Sequence, residues 1–459
     1  MLPSSNHHPS SYRDPSGFLF YKNEILYRQV NQVFKKDFEL LIEGGLYQSL
    51  VEKKILISHE LIRENLTGSP DWYLTLQPEI IPFISYPYEW CFDMLKDAAL
   101  LTIETAKEAL NFGMMLRDAS AYNIQLSKGK MIFIDTLSFE EYDEQKPWVA
   151  YRQFCEHFFA PLALMHYLKQ PLQSLLIACP DGIPLSVAAK MLPFKSKLNL
   201  HTYLHLHLHS SVAKKNRSEI DQKRAFSKQK MKNLLRSLED GIKSFSFSQS
   251  PTVWSSYYEE ANQRDDYVAV KKEILTDWVS KLNFSTVLDT GANEGEFSEL
   301  VANKSACVIS TDLDHSSINR LYNKIQQKSI PNIYPLIMDL ANPSPAIGVN
   351  NEERTSFLQR TKVNLTLALA LVHHLALGRN IPFHKIAKMY HSITVYLVIE
   401  FIPPTDEKVR LMTIHKKDLL INYSEEYFTS AFQNYFSILE KREINNSGRI
   451  LFLMEKKNA

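Results

Sequence analysis

From residue 267 to the C-terminus the chain alternates between two hydrophobic rhythms. Short, nearly continuous apolar runs at 286–289, 307–312, 334–338, 365–371 and 395–401 read as strands buried on both faces, where strict alternation is not needed. Segments with helical spacing lie around them, first at 267–282 and then at 296–303. Two further runs, 436–440 and 449–455, suit an antiparallel hairpin that closes the sheet. This alternation predicts an α/β domain with a Rossmann-like, seven-stranded sheet.

The first half of the chain has no single period. Residues 1–16 are polar, rich in Ser, Pro and His, and are expected to be a disordered tail. Residues 17–209 are aromatic-rich and mixed, predicting an α+β domain, and 210–250 turn basic and helical, as a connecting segment before the domain at 251–459. Within 214–243 the bases include Lys214, Lys215, Arg217, Lys223, Arg224, Lys228, Lys230, Lys232, Arg236 and Lys243, above an apolar stripe of Met231, Leu234, Leu235, Leu238 and Ile242. A solvated connecting helix explains this pattern; docking of an anionic substrate or RNA is the sharper alternative. His201, His205, His207 and His209 alternate with leucines; on a strand 205, 207 and 209 would share a face and could bind zinc, on a helix 201, 205 and 209 would, but no cysteine or acidic cluster adjoins them and the polar side of an amphipathic pattern is the alternative.

The sharpest local feature is the first apolar run of the last domain, which leads into Asp289-Thr290-Gly291-Ala292-Asn293-Glu294-Gly295. Strand, glycine-bearing turn and helix form a nucleotide cradle. A dinucleotide fold requires G-x-G-x-x-G, yet Asn293 and Glu296 stand where the second and third glycines belong. An anionic Glu296 at the helix start disfavours a pyrophosphate. S-adenosylmethionine (SAM) carries a sulfonium and an ammonium instead, so nearby carboxylates help it. Asp312 lies 23 residues beyond Asp289, close to the spacing of about 20 at which a carboxylate meets ribose hydroxyls. Leu313 follows it. Asp289, Asp312, Asp339 and His373/His374 all end apolar runs, and the carboxyl ends of parallel strands are where such sheets bind ligands.

The D-x-G-x-x-x-G turn resembles the first motif of the class I SAM-dependent methyltransferases, departing from it by Asn293 at the central glycine. That resemblance implies cofactor contacts at Asp289, Gly291, Ala292, Asn293, Gly295, Asp312 and Leu313, with Asp339 and Leu340 at the adenine. His373 and His374 follow the fourth strand, where the family faces the acceptor. One of them is a candidate general base or substrate positioner, and capping or packing is the alternative. No Asn/Asp-Pro-Pro-Tyr/Phe motif follows that strand, which argues against methylation of DNA adenine or protein glutamine. Residues 342–348 and 353–360 form an insertion, read equally as a lid or as a surface loop.

In the first half, Asp118, Asn123 and Asp135 look like the D-x-x-x-x-N loop and metal-binding Asp of kinase-like phosphotransferases, which would imply ATP–Mg. No Gly-rich loop precedes them, Asp135 is followed by Thr136-Leu137, and neither Lys22 nor Arg28 is assigned as the phosphate-binding base. Whole phrases, 86–90, 133–140, 148–154 and 368–374, resemble a bacterial group of two-part methyltransferases labelled nodulation-protein-like. The resemblance covers both halves and implies methyl transfer to an unidentified acceptor, a small molecule or glycan bearing a hydroxyl or nitrogen. The alternatives are a SAM-binding scaffold with a pseudokinase-like domain, or a bifunctional kinase/methyltransferase.

Bulk composition adds limits. With 52 Lys+Arg against 51 Asp+Glu, the net charge of +1 argues against a global nucleic-acid binder. Cys91, Cys155, Cys179 and Cys307 have no paired spacing, as in a reducing compartment. No apolar run is long enough to span a bilayer and no secretory signal is visible, so a cytoplasmic protein without a membrane partner is expected.

Overall fold

A computed structural model describes residues 7–208, 226–247, 267–414, 417–445 and 447–457. It divides into two compact units, Met1–Gln249 with Ile347–Arg354, and Ser250–Ala346 with Thr355–Ala459.

The first unit is α+β. Strands β1 (Gly17–Lys22), β2 (Ile25–Asn31), β3 (His59–Ile62) and β4 (Trp72–Pro78) form an antiparallel sheet in the order β1-β2-β4-β3. Asn23 and Glu24, both at positive φ, make the tight turn from β1 to β2, so no glycine-rich loop stands there. The helix Phe92–Asn111 follows, then β5 (Met114–Leu116), the hairpin of β6 (Ile124–Ser127) and β7 (Lys130–Phe133), and β8 (Phe139–Glu141), which pairs with β5. Trp90, Phe92, Phe133, Phe139, Phe154, Phe158 and Phe159 are fully buried here.

Residues 7–16, assigned to the tail by composition, are packed on this unit. His7 stacks on Phe18 at 4.0 Å and Asp14 accepts from Arg117 at 3.0 Å. The helix Lys228–Ser244 also belongs to the first unit rather than bridging from it. Its Met231, Leu235, Leu238 and Ile242 are buried, and it packs along Phe92–Asn111. Residues 209–225, with half of the basic stretch and His209, lie outside the described residues, as do 1–6 and 248–266.

The second unit is the α/β domain. Its strands β9 (Thr286–Thr290), β10 (Cys307–Asp312), β11 (Ile333–Ile337), β12 (Val363–Ala368), β13 (Thr394–Phe401), β14 (Phe436–Glu443) and β15 (Ile450–Lys456) form one sheet in the order β11-β10-β9-β12-β13-β15-β14. The first five are parallel, and β15 runs antiparallel to both β13 and β14. This is the expected Rossmann-like methyltransferase sheet, with the terminal hairpin inserting β15 between β13 and β14. Leu288 and Val287 on the central β9 are fully buried, as the unbroken apolar run requires. Strand β12 stops at Ala368, short of the expected 371, because Ala370 adopts φ +49° and its N–H turns to Glu400 Oε2 at 2.8 Å.

Candidate functional site

A cavity of about 160 Å³ opens at the carboxyl ends of β11, β10, β9 and β12. Asp339, Asp312 and Asp289 line it in that order across the sheet, each delivered by the end of a strand. Gly291, Asn293, Leu313 and Leu340 also line it. Ala292 and Gly295 are not among its lining residues and act on the turn instead. Gly291 and Ala292 N–H both donate to the Thr311 carbonyl, at 2.8 and 2.9 Å, and Gly295 N–H closes on the Ala292 carbonyl at 2.8 Å.

Positive φ accounts for the turn's composition. Gly291 sits at +73°, Gly295 at +80° and Asn293 at +49°. The residue that departs from the resembled motif thus occupies the left-handed region, where Asn is among the best-tolerated non-glycine residues. Its N–H donates to Asp312 Oδ2 at 2.9 Å, while Asp314 N–H holds Oδ1 at 2.8 Å, so the Asp312 carboxylate is oriented before any ligand arrives.

The carboxylates share a low-dielectric wall. Burial pushes the Asp289 carboxyl up to about 7, against the opposing hydrogen bond from Ser298 Oγ at 2.7 Å, and the neighbouring Asp312 raises it further. Asp312 is also raised by burial. Two carboxylates this costly to ionise suit a cationic ligand, and that is the property expected of a SAM site. Asp339 differs: its Oδ1 accepts from Ala341 N–H at 2.9 Å and its Oδ2 pairs with Arg379 at 3.1 Å. Arg379 is a lining residue that sequence reasoning missed.

The two histidines separate. His374 lines the cavity at the start of a π-helical turn, His374–Gly378, whereas His373 is buried behind it with Nδ1 lacking a hydrogen-bond partner. Their rings lie 3.9 Å apart. Burial, then Lys408 and Arg449, lowers His374 to about 4, and His373 is driven well below its ordinary value. Both imidazoles are therefore neutral near pH 7.

Lys271 was also missed. It falls on the buried stripe of the helix Tyr267–Lys281 with Tyr267, Ile274, Leu275 and Trp278, a lysine at a core position. Its Nζ donates to Glu400 Oε2 at 2.8 Å, and both side chains are buried. Glu400 also accepts from Tyr267 at 2.5 Å and lies 3.7 Å from Arg449.

In the first unit, Asp118, Asn123 and Asp135 do come together. Asp118 interacts with Asn123 and Gln153 and accepts from Ser120 N–H at 2.9 Å; burial and the neighbouring Asp135 raise it. Asn123 also donates to Ser138 at 3.2 Å. Asp135, however, is ion-paired with Arg28 at 2.5 Å and accepts from Ser138, so both of its carboxylate oxygens are already engaged. His205 bonds Tyr151 at 2.8 Å and Ser237 at 3.0 Å, and His207 bonds Ser196 at 2.8 Å. Among the described residues no group of three His, Cys, Asp or Glu side chains is arranged to hold a metal. Of the insertion, Ile347–Arg354 belongs to the first unit, where Arg354 covers the Tyr122 ring at 4.1 Å and Glu353 accepts from Arg13 at 2.9 Å. No residue of 342–360 lines the cavity.

No protein-family model matches the chain. It is 30% identical to nodulation protein NoeA of Rhizobium meliloti (strain 1021) over 466 aligned residues, covering 97% of this chain and 95% of that protein. Solved structures with partial likeness include magnesium protoporphyrin IX methyltransferase from Synechocystis PCC 6803 with bound SAH, at 15% identity, 46% of this chain, 90% of that one and a TM-score of 0.30. The bifunctional kinase-methyltransferase WbdD is another, at 13% identity, 42% and 39% coverage and a TM-score of 0.28.

Proposed function

Since the chain belongs to the family of nodulation protein NoeA, we propose that its α/β unit is a SAM-dependent methyltransferase acting on a hydroxyl- or nitrogen-bearing small molecule or glycan. One observation carries the reading: Asp339, Asp312 and Asp289 border a single cavity in series, with burial raising the latter two. In this reading Asp312 receives the ribose hydroxyls, Asp289 faces the ammonium, and Asp339 with Leu340 meets the adenine. Gly291 lets the backbone approach the ligand, while Ala292, Asn293 and Gly295 keep the turn in shape.

The cofactor supplies an electrophilic methyl group, so the protein's task is alignment. His374 borders the cavity as a neutral imidazole and can accept a hydrogen bond from an acceptor O–H or N–H. Its lowered basicity makes it a better positioner than a store for the released proton. His373 acts behind it, by packing. ATP–Mg in the first unit has no comparable support, because Arg28 holds Asp135.

Calorimetry with SAM tests the cofactor site. Asp312→Ala should weaken binding by roughly 10-fold or more, the loss of hydrogen bonds to a charged group; unchanged affinity would sink the ribose assignment. Methyl-labelled SAM incubated with lysate, then fractionated into protein, RNA, glycan and small molecules, identifies the acceptor.

A further inference from the structure

We propose that Lys271 is the carboxylate-binding residue of the cavity, receiving the amino-acid end of the adenosyl ligand; this rests on the cofactor reading above. The direction follows from strand order. A ligand held at Asp312 with its base toward Asp339 extends past β9, and Lys271 and Phe297 border the cavity there, beside Asp289.

Lys271 is 1% exposed and its ammonium lies 4.5 Å from the Tyr267 ring centroid and 5.2 Å from that of Phe297, so its position is held by two aromatic faces. Burying a cation at a cavity wall is costly unless something there uses it. Neutralising Glu400 is not a sufficient reason, because Glu400 already has Tyr267 at 2.5 Å, the Ala370 N–H at 2.8 Å and Arg449 at 3.7 Å. An ammonium carries three donors, and Glu400 takes one of Lys271's at 2.8 Å. Asp289 and Lys271 thus present one negative and one positive group to the same end of the cavity. That pair matches the zwitterion of an α-amino acid, with the ammonium toward Asp289 and the carboxylate toward Lys271.

The test is a ligand series by calorimetry on the full chain: S-adenosylhomocysteine, its decarboxylated analogue, and 5′-methylthioadenosine. The wild type should prefer S-adenosylhomocysteine to the decarboxylated analogue by about 10- to 100-fold, as for a charge-assisted contact. Lys271→Met combined with Glu400→Gln, which avoids leaving an unpaired buried carboxylate, should lose that preference. Its affinity for methylthioadenosine should stay within about 3-fold, because that ligand has no carboxylate to lose. Equal binding of the first two ligands by the wild type, or an undiminished preference in the double variant, overturns the role of Lys271 while leaving the cofactor site standing. A wild type that binds neither S-adenosylhomocysteine nor methylthioadenosine overturns both. Should the double variant fail to fold, Lys271→Gln alone takes its place in the ligand series, and an undiminished preference there overturns the role of Lys271 in the same way.

Discussion

Asn293 shows how one backbone angle can decide whether a motif survives a substitution. At φ +49° it occupies a conformation that costs an ordinary L-residue roughly 1–2 kcal/mol and Asn much less. Asn293→Gly should therefore leave SAM affinity nearly unchanged, whereas Asn293→Val should cost about 1–3 kcal/mol of stability in urea unfolding and weaken SAM by distorting the N–H that holds Asp312. Asp289 sets a pH dependence at the same scale. Its carboxyl titrates near 7 in the free protein, and a bound cation stabilises the carboxylate. Below about 7 the free site holds a proton that must leave on binding, so SAM affinity should rise by up to tenfold per pH unit as pH climbs toward 7, then level off. Calorimetry across pH 5.5–8.5 in buffers of different ionisation heat measures that proton, and Asp289→Asn should flatten the profile. A flat wild-type profile would show that Asp289 does not face the ligand's charge.

At the scale of elements, the helix Tyr267–Lys281 and β13 are tied by the buried Lys271–Glu400 pair. Removing one partner leaves an uncompensated buried charge, so Glu400→Ala should destabilise the second unit by about 3–5 kcal/mol, and adding Lys271→Met should recover much of that loss. Urea unfolding of the singles and the double measures the coupling. Additive losses would mean the two residues do not stabilise each other. This pair also marks the limit of what the chain's pattern discloses. The strands of the sheet were legible because a parallel strand covered on both faces is an unbroken apolar run, and Asp289, Asp312 and Asp339 were legible because each ends such a run. Lys271 carried a weaker signal, a charged residue on an apolar stripe, which reads as readily as a lysine reaching solvent from the stripe's edge. Arg379 had none, since only the turn after His374 brings it to Asp339. The end of β12 was misjudged because Leu369-Ala370-Leu371 continues an apolar run while Glu400, about 30 residues away, captures the Ala370 N–H.

For the whole molecule, two units with separate cores imply two unfolding events rather than one. The large buried aromatics of the first unit, Trp90, Phe133 and Phe158 among them, have no share in the cavity, whereas Asp289 and Asp312 lie at the ends of central strands of the second. A ligand stabilises only the cooperative unit that loses its site on unfolding. SAM at about 100 times its dissociation constant should therefore stabilise the second unit by roughly 2.7 kcal/mol and move its calorimetric transition upward, leaving that of the first in place. The same scan with ATP–Mg should move neither, because using Asp135 as a metal ligand would require breaking its 2.5 Å pair with Arg28. A first-unit transition that rises with ATP–Mg would overturn that reading of Asp135. If SAM moves both transitions together, the account of two separate unfolding events fails.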